Sequence, residues 1–108
     1  MNRILIASLF LLAGAAHAAG WSAPLTIDRA FTEDSDMLVI YTVEGGVYTT
    51  GCLANTWIFR ASSETRRARA WATILTAQAT GQKVQLWFSD QCSTWSYHDT
   101  TAIMLHKP

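Results

Sequence analysis

Residues 62–88 read SSETRRARAWATILTAQATGQKVQLWF, and this stretch decides the fold because its apolar pattern changes period partway through. Up to residue 79, apolar side chains recur at three- and four-residue steps: Ala68, Trp71, Ala72, Leu75 and Ala79, with Ile74 beside them. That is the spacing of one face of an α-helix. Ser62 or Ser63 offers an N-cap hydroxyl, Glu64 puts an acid in the first turn, and Gly81 stands where a left-handed C-terminal cap is expected. From Val84 the period becomes two, with Val84, Leu86 and Phe88 facing one way and Gln85 and Trp87 the other. One helix runs directly into one strand, and the Ala-rich face bearing Trp71 is the one expected to lie against a sheet or barrel mouth.

On the N-terminal side of this stretch the pattern is β throughout. Leu25 and Ile27 alternate with Thr26 and Asp28, which predicts a first strand over Leu25–Phe31. The polar stretch from Thr32 to Asp36 turns the chain into Met37–Val43, an unbroken apolar and β-branched run that suits a strand covered on both faces. Gly45 and Gly46 break that run, Val47–Thr50 is expected to continue a hairpin, and Thr56–Arg60 forms a third strand. Beyond the strand at Val84, residues 89–93 read as a loop, 94–97 as a short strand and 101–106 as a final one. Five or six short strands with one helix between the third and the fourth is the element order of an OB-like barrel, so the expected class is mainly β with a single helix.

The N-terminus sets the compartment. Arg3 precedes an uncharged apolar run from Ile4 to Ala16, and Ala16-His17-Ala18 has the small-x-small form of a signal peptidase site, so residues 1–18 read as a cleaved export signal. Residues 19–108 then form one domain, periplasmic or secreted. Of the eight Lys and Arg in the chain Arg3 lies in the leader, leaving seven against eight Asp and Glu, and so balanced a domain has no field favouring nucleic acid or an anionic membrane. No second apolar run is long enough to span a bilayer. In an exported chain, Cys52 and Cys92, the only cysteines, argue for one disulfide, with a catalytic thiol or half a metal site as the alternatives.

Cys52, then Trp57, then a helix ending Leu75-Thr76-Ala77-Gln78-Ala79-Thr80-Gly81-Gln82-Lys83 before the strand Val84-Gln85-Leu86-Trp87, resemble the middle of the subtilase cytotoxin B subunit and its relatives among small exported bacterial proteins. The export signal and the aromatic start of the mature chain fit the same resemblance. It implies an OB-like fold and, in the toxin, a ring of five subunits that binds sialylated glycans and delivers a separate catalytic chain. The family's sugar pocket uses a serine in an aromatic-Ser-Gly stretch at the opening of the first strand. Trp21-Ser22-Ala23 occupies that place here, which makes Ser22 the corresponding residue, with Ala23 where the family has glycine and Pro24 following.

Five tryptophans in so short a chain point the same way, since indole rings stack on the apolar faces of sugars. Trp57 and Trp71 are expected in the core. Trp87 lies on the strand face opposite Val84, Leu86 and Phe88, and Trp95 sits in a polar run with Tyr97, so Trp87, Trp95 and Tyr97 are the candidates for an exposed ligand platform. Arg60, Arg66, Arg67 and Arg69 concentrate positive charge, and Glu33, Asp34, Asp36 and Glu44 the opposite sign. In a ring of identical subunits one cluster can meet the next subunit's other. Catalysis has little to work with: Cys52 with His98 lacks an orienting third group, and Asp90 with Asp99 has little room for a cleft. Cys52, Cys92, His98 and His106 match no compact zinc motif, and no metal or cofactor is expected. The expectation is a non-catalytic exported binding domain for a glycan or cell-surface ligand, acting as a homo-oligomer, a pentamer as the resemblance implies. The alternative is a small periplasmic protein that docks on a partner protein.

Overall fold

Pro24 has no N–H to give to a ladder, and the first strand divides around it. In the computed structural model, which describes residues 19–33 and 36–108, β1 (Gly20–Trp21) pairs antiparallel with β5 (Val84–Cys92), whereas β2 (Ile27–Thr32) pairs antiparallel with β3 (Leu38–Thr42). Residues 1–18, where the export signal is expected, and Asp34 lie outside the described residues. Between β1 and β2 the chain stays bonded to β5 through a Leu25–Val84 bridge, and then passes to β3, where Val43 N–H donates to the Thr26 carbonyl at 2.9 Å. The same short segment therefore serves both margins of the sheet.

The strand order is β1-β5-β6-β4-β3-β2, with β4 at Thr56–Phe59 and β6 at His98–Leu105. Every neighbouring pair is antiparallel except β4 and β6. The named ladders do not close into a ring, because β1 and β2 do not pair with each other; the link from Gly20 to Thr32 takes that place. Among the described residues the result is an OB-like sheet of six strands with one α-helix. Counting the divided N-terminal strand once, helix α1 (Glu64–Thr80) falls between the third and fourth strands as the element order predicts.

Ser63 caps α1, its Oγ accepting from Arg66 N–H, and Gly81 ends it in the left-handed region at φ 76°, with its N–H on the Ala77 carbonyl. A Cβ at Gly81 meets nothing within 4 Å, so the cost of adding one is backbone strain alone. Gly81→Ala is expected to lower stability by about 1 kcal/mol, read as a lower urea midpoint at unchanged slope. An unshifted midpoint means that the helix end relaxes without loss.

The helix is seated on a different face from the one its periodicity suggests. Ala70, Ile74 and Ala77 are buried in the core with Leu25, Ile27, Leu38, Ile40, Trp57, Phe59, Val84 and Leu86, and Trp71 packs partly against them. Ala68, Ala72, Leu75 and Ala79 face outward, Leu75 at 48% exposure. Alanines recur around most of this helix, so the period is legible while its phase is not. The phase is set by contact: small side chains one turn on either side of Ile74 let the backbone approach the sheet closely enough to bury it.

Elsewhere the expected elements hold with local changes: β5 continues through residues 89–92, read from sequence as a loop, and β6 starts at His98, three residues earlier than expected. Leu38, Val39 and Ile40 are all buried, as expected for a strand covered on both faces. Residues 47–50 do not continue a hairpin. Tyr48 turns its ring onto the core beside Trp57 and Phe88, with centroids 5.7 and 5.2 Å away, and side chains hold this loop where a ladder was expected. Residues 94–96 form a 3₁₀ turn, not a strand, because Trp95 and Ser96 adopt φ near 60°, which no strand accommodates.

Candidate functional site

Register builds an aromatic row across the sheet surface. Pairing β2 with β3 sets Arg29 opposite Tyr41 and Phe31 opposite Val39, which brings the Phe31 and Tyr41 rings to 5.8 Å. The Arg29 guanidinium lies 5.2 Å from the Tyr41 ring centroid, a cation–π contact. Tyr41 and Tyr97 share a hydrogen bond between their hydroxyls at 2.9 Å with rings 5.9 Å apart, and Tyr97 meets Trp95 edge to face at 5.7 Å. The hydroxyl bond to Tyr41, then burial, holds the Tyr97 phenol above its ordinary pKa, so its hydroxyl stays a neutral donor and acceptor at physiological pH.

The turn carrying Trp95 is shaped against ordinary backbone preference. Two successive non-glycine residues, Trp95 at φ 64° and Ser96 at φ 62°, occupy the left-handed region. Bonds around them hold the shape: Ser93 N–H donates to Tyr97 C=O at 2.7 Å, Ser96 N–H to Ser93 C=O at 3.1 Å and Leu53 N–H to Ser96 C=O at 2.8 Å. The Cys52–Cys92 disulfide joins the two loops just beside these bonds, with Cα atoms 5.4 Å apart. Both sulfurs are consumed in it, so neither cysteine is available as a thiolate nucleophile or ligand. Trp95 is left 51% exposed, with Leu53, itself exposed, on the adjoining loop.

His98 anchors this end from beneath. Its ring is fully buried and stacks on Trp57 at 4.5 Å. Tyr48 N–H donates to Nε2 at 3.0 Å, so Nε2 is the bare nitrogen and Nδ1–H donates to the Thr56 carbonyl at 2.9 Å. Burial lowers the pKa of His98, against the opposing pull of carbonyl partners at Thr56 and Leu53. This neutral ring pins the 47–48 loop to β4 and β6.

The four residues singled out for ligand contact fall in two places. Trp95 and Tyr97 belong to the aromatic row. Trp87 lies on β5 at the other end of the strand order, edge to face with the exposed Trp21 at 5.5 Å. Ser22 is beside that pair but enclosed at 2% exposure, where its Oγ donates to Ala23 C=O and accepts from Leu86 N–H at 3.0 Å. The hydroxyl serves Leu86 N–H in place of the Ser22 carbonyl, which accepts from Gln85 Nε2 at 2.9 Å instead. Phe31, Arg29 and Tyr41 were not singled out from sequence. Their alternation along two strands was visible, but which residue stands opposite which depends on the length of the intervening turn.

Most of the charged residues are engaged within the chain. Arg60 reaches Asp99 through both carboxylate oxygens at 3.2 Å, Arg66 donates to the Thr101 carbonyl at 2.9 Å and Arg67 to the Ala61 carbonyl at 2.6 Å. Glu44 accepts from Thr26 N–H and Oγ1 and lies 3.5 Å from Lys83; burial raises its pKa, but these partners outweigh it and the net shift is downward. Among the described residues no group of three or more His, Cys, Asp or Glu side chains converges to hold a metal ion. No helix among them is long and apolar enough to cross a membrane.

No protein-family model matches the chain, and no curated protein does. Among solved structures the fold is similar to that of the cholera toxin-like B-subunit from Citrobacter freundii, with a TM-score of 0.58 over 88% of this chain and 93% of that one. Identity is 17%, a likeness of fold.

Proposed function

We propose that this chain is an exported, non-catalytic binding domain whose ligand is a glycan lying along the Trp95–Tyr97–Tyr41 row, and that it acts as a homo-oligomer. The observation carrying this reading is the exposed Trp95, held out by a disulfide-braced turn and backed by phenol hydroxyls within bonding reach of a sugar. An indole face with nearby hydroxyls and an arginine is a surface on which a pyranose ring can stack and hydrogen-bond. A fold shared with a toxin-like B-subunit and a disulfide consistent with an oxidising compartment support the same reading. Export follows from residues 1–18, removed after Ala18, leaving 19–108 as the working domain. Trp87, with Trp21 and the underlying Ser22, offers a second aromatic edge for the same class of ligand.

Oligomers suit such a site, because one aromatic face binds a sugar weakly and several acting together bind well. The contiguous Leu53 favours the second reading, docking on a protein in the envelope, since an apolar neighbour next to an aromatic anchor is what a protein interface uses. The test is a glycan array probed with the mature protein, with native mass spectrometry giving its subunit number. Binding that falls at least tenfold in Trp95→Ala, in a variant with unchanged melting temperature, supports the glycan reading. A blank array together with a specific envelope protein retained by the wild type and lost by Trp95→Ala replaces it with the docking reading. A strictly monomeric mass removes the multivalent part.

A further inference from the structure

A groove between α1 and β6 is cationic at its rim and apolar at its floor. Arg66 and Arg69 stand one turn apart on the helix, and Phe59, Ala70 and Ile103 form the floor of a cavity of about 200 Å³. No carboxylate lines it. The Arg66 guanidinium is fixed across the groove by its bond to the Thr101 carbonyl, which leaves its remaining N–H groups for another acceptor. Arg69 makes no ion pair among the described residues. Arg60 differs, because Asp99 already neutralises it. Both groove arginines also sit in the first two turns of α1, where the helix dipole disfavours cations, so helix stability does not account for them.

The geometry points to an anion-binding site in this groove, for a phosphate or sulfate ester carried on a body with an apolar face. Two guanidiniums present planar forks of donors that match tetrahedral oxyanions, and the floor gives the attached apolar part a surface to cover. The volume admits a small ring with its charged substituent, not an extended polymer. This site is separate from the aromatic row and does not depend on a glycan binding there.

Phenyl phosphate, phenyl sulfate and inorganic phosphate serve as probes in titrations followed by amide resonances of the mature protein. Saturable shifts are expected at residues 66–73 and 101–103, with phenyl phosphate at least tenfold tighter than inorganic phosphate. The ratio of phenyl phosphate to phenyl sulfate then tells whether the natural group is the dianion or the monoanion. Arg69→Gln, an exposed change with no lost partner, should weaken phenyl phosphate at least tenfold, and Lys107→Gln, which removes the same charge elsewhere, should leave it within twofold. Shifts spread over the surface, linear to the highest concentration, or equal losses in the two variants overturn the assignment.

Discussion

Mature protein carrying Cys52→Ser and Cys92→Ser is expected to lose about 4 kcal/mol of stability, read as a drop of roughly 15–30 °C in melting temperature. The bond closes a loop across a sequence separation of 40, and the lost restraint on the unfolded chain alone yields that figure. A domain of this size has roughly 5–10 kcal/mol in total, so the doubly substituted chain is marginal at body temperature. Three bonds bridge nearby: Thr49 Oγ1 to Ser89 C=O at 2.6 Å, Tyr48 N–H to His98 Nε2, and Leu53 N–H to Ser96 C=O. A loss below 1 kcal/mol would show that these polar bonds hold the loops without the disulfide. Because the cross-link also braces the left-handed Trp95 turn, ligand binding should weaken in the serine variant even at temperatures where it stays folded.

His98→Ala is expected to cost about 3–5 kcal/mol and to flatten the acid limb of the stability profile. Truncation leaves a cavity against Trp57 and strips partners from Tyr48 N–H and Thr56 C=O, two backbone groups beneath the 47–56 loop. The pH dependence follows from the lowered pKa. Above the unfolded value of 6.5 the ring is neutral in both states, and its contribution is fully present. As pH falls below 6.5 the unfolded chain takes up a proton that the folded one refuses, and stability is lost by at most about 1.4 kcal/mol per pH unit until the folded pKa is reached. Protonating Nε2 would set an N–H against the Tyr48 N–H, so the folded state resists it. Urea unfolding at intervals from pH 7.5 to 4.5 checks this. An identical slope in wild type and His98→Ala between pH 6.5 and 5 would show that the buried ring is not the group that titrates.

Much of the architecture is legible from residues read locally. The helix bounds at Ser63 and Gly81, the strands around Ile27, Ile40, Trp57 and Leu86, and the Cys52–Cys92 pairing all follow from caps, periodicity and compartment, and each appears where expected. The misreadings have a common origin. Residues 47–50 and 94–97 carry β-prone side chains, yet both are loops, because Tyr48 is drawn to the core and Trp95 is pushed out of it. On α1 a surplus of alanines hid the phase, and Leu75, the larger residue, faces outward while Ala70 and Ala77 face inward.

The candidate site divides along the same line. That Trp95 and Tyr97 lie in an aromatic, charge-free run is plain from the chain itself, because it is a property of neighbours in sequence. That Tyr97 shares a hydrogen bond with a tyrosine 56 positions away is not. Nor is the fate of Ser22, whose hydroxyl is taken by a backbone amide 64 residues on. Local order specifies which segments are helix and strand through steric and hydrogen-bonding preferences that act within a few residues. Only the folded sheet, where register and core packing act between distant segments, decides which side chains meet and which remain open to a ligand.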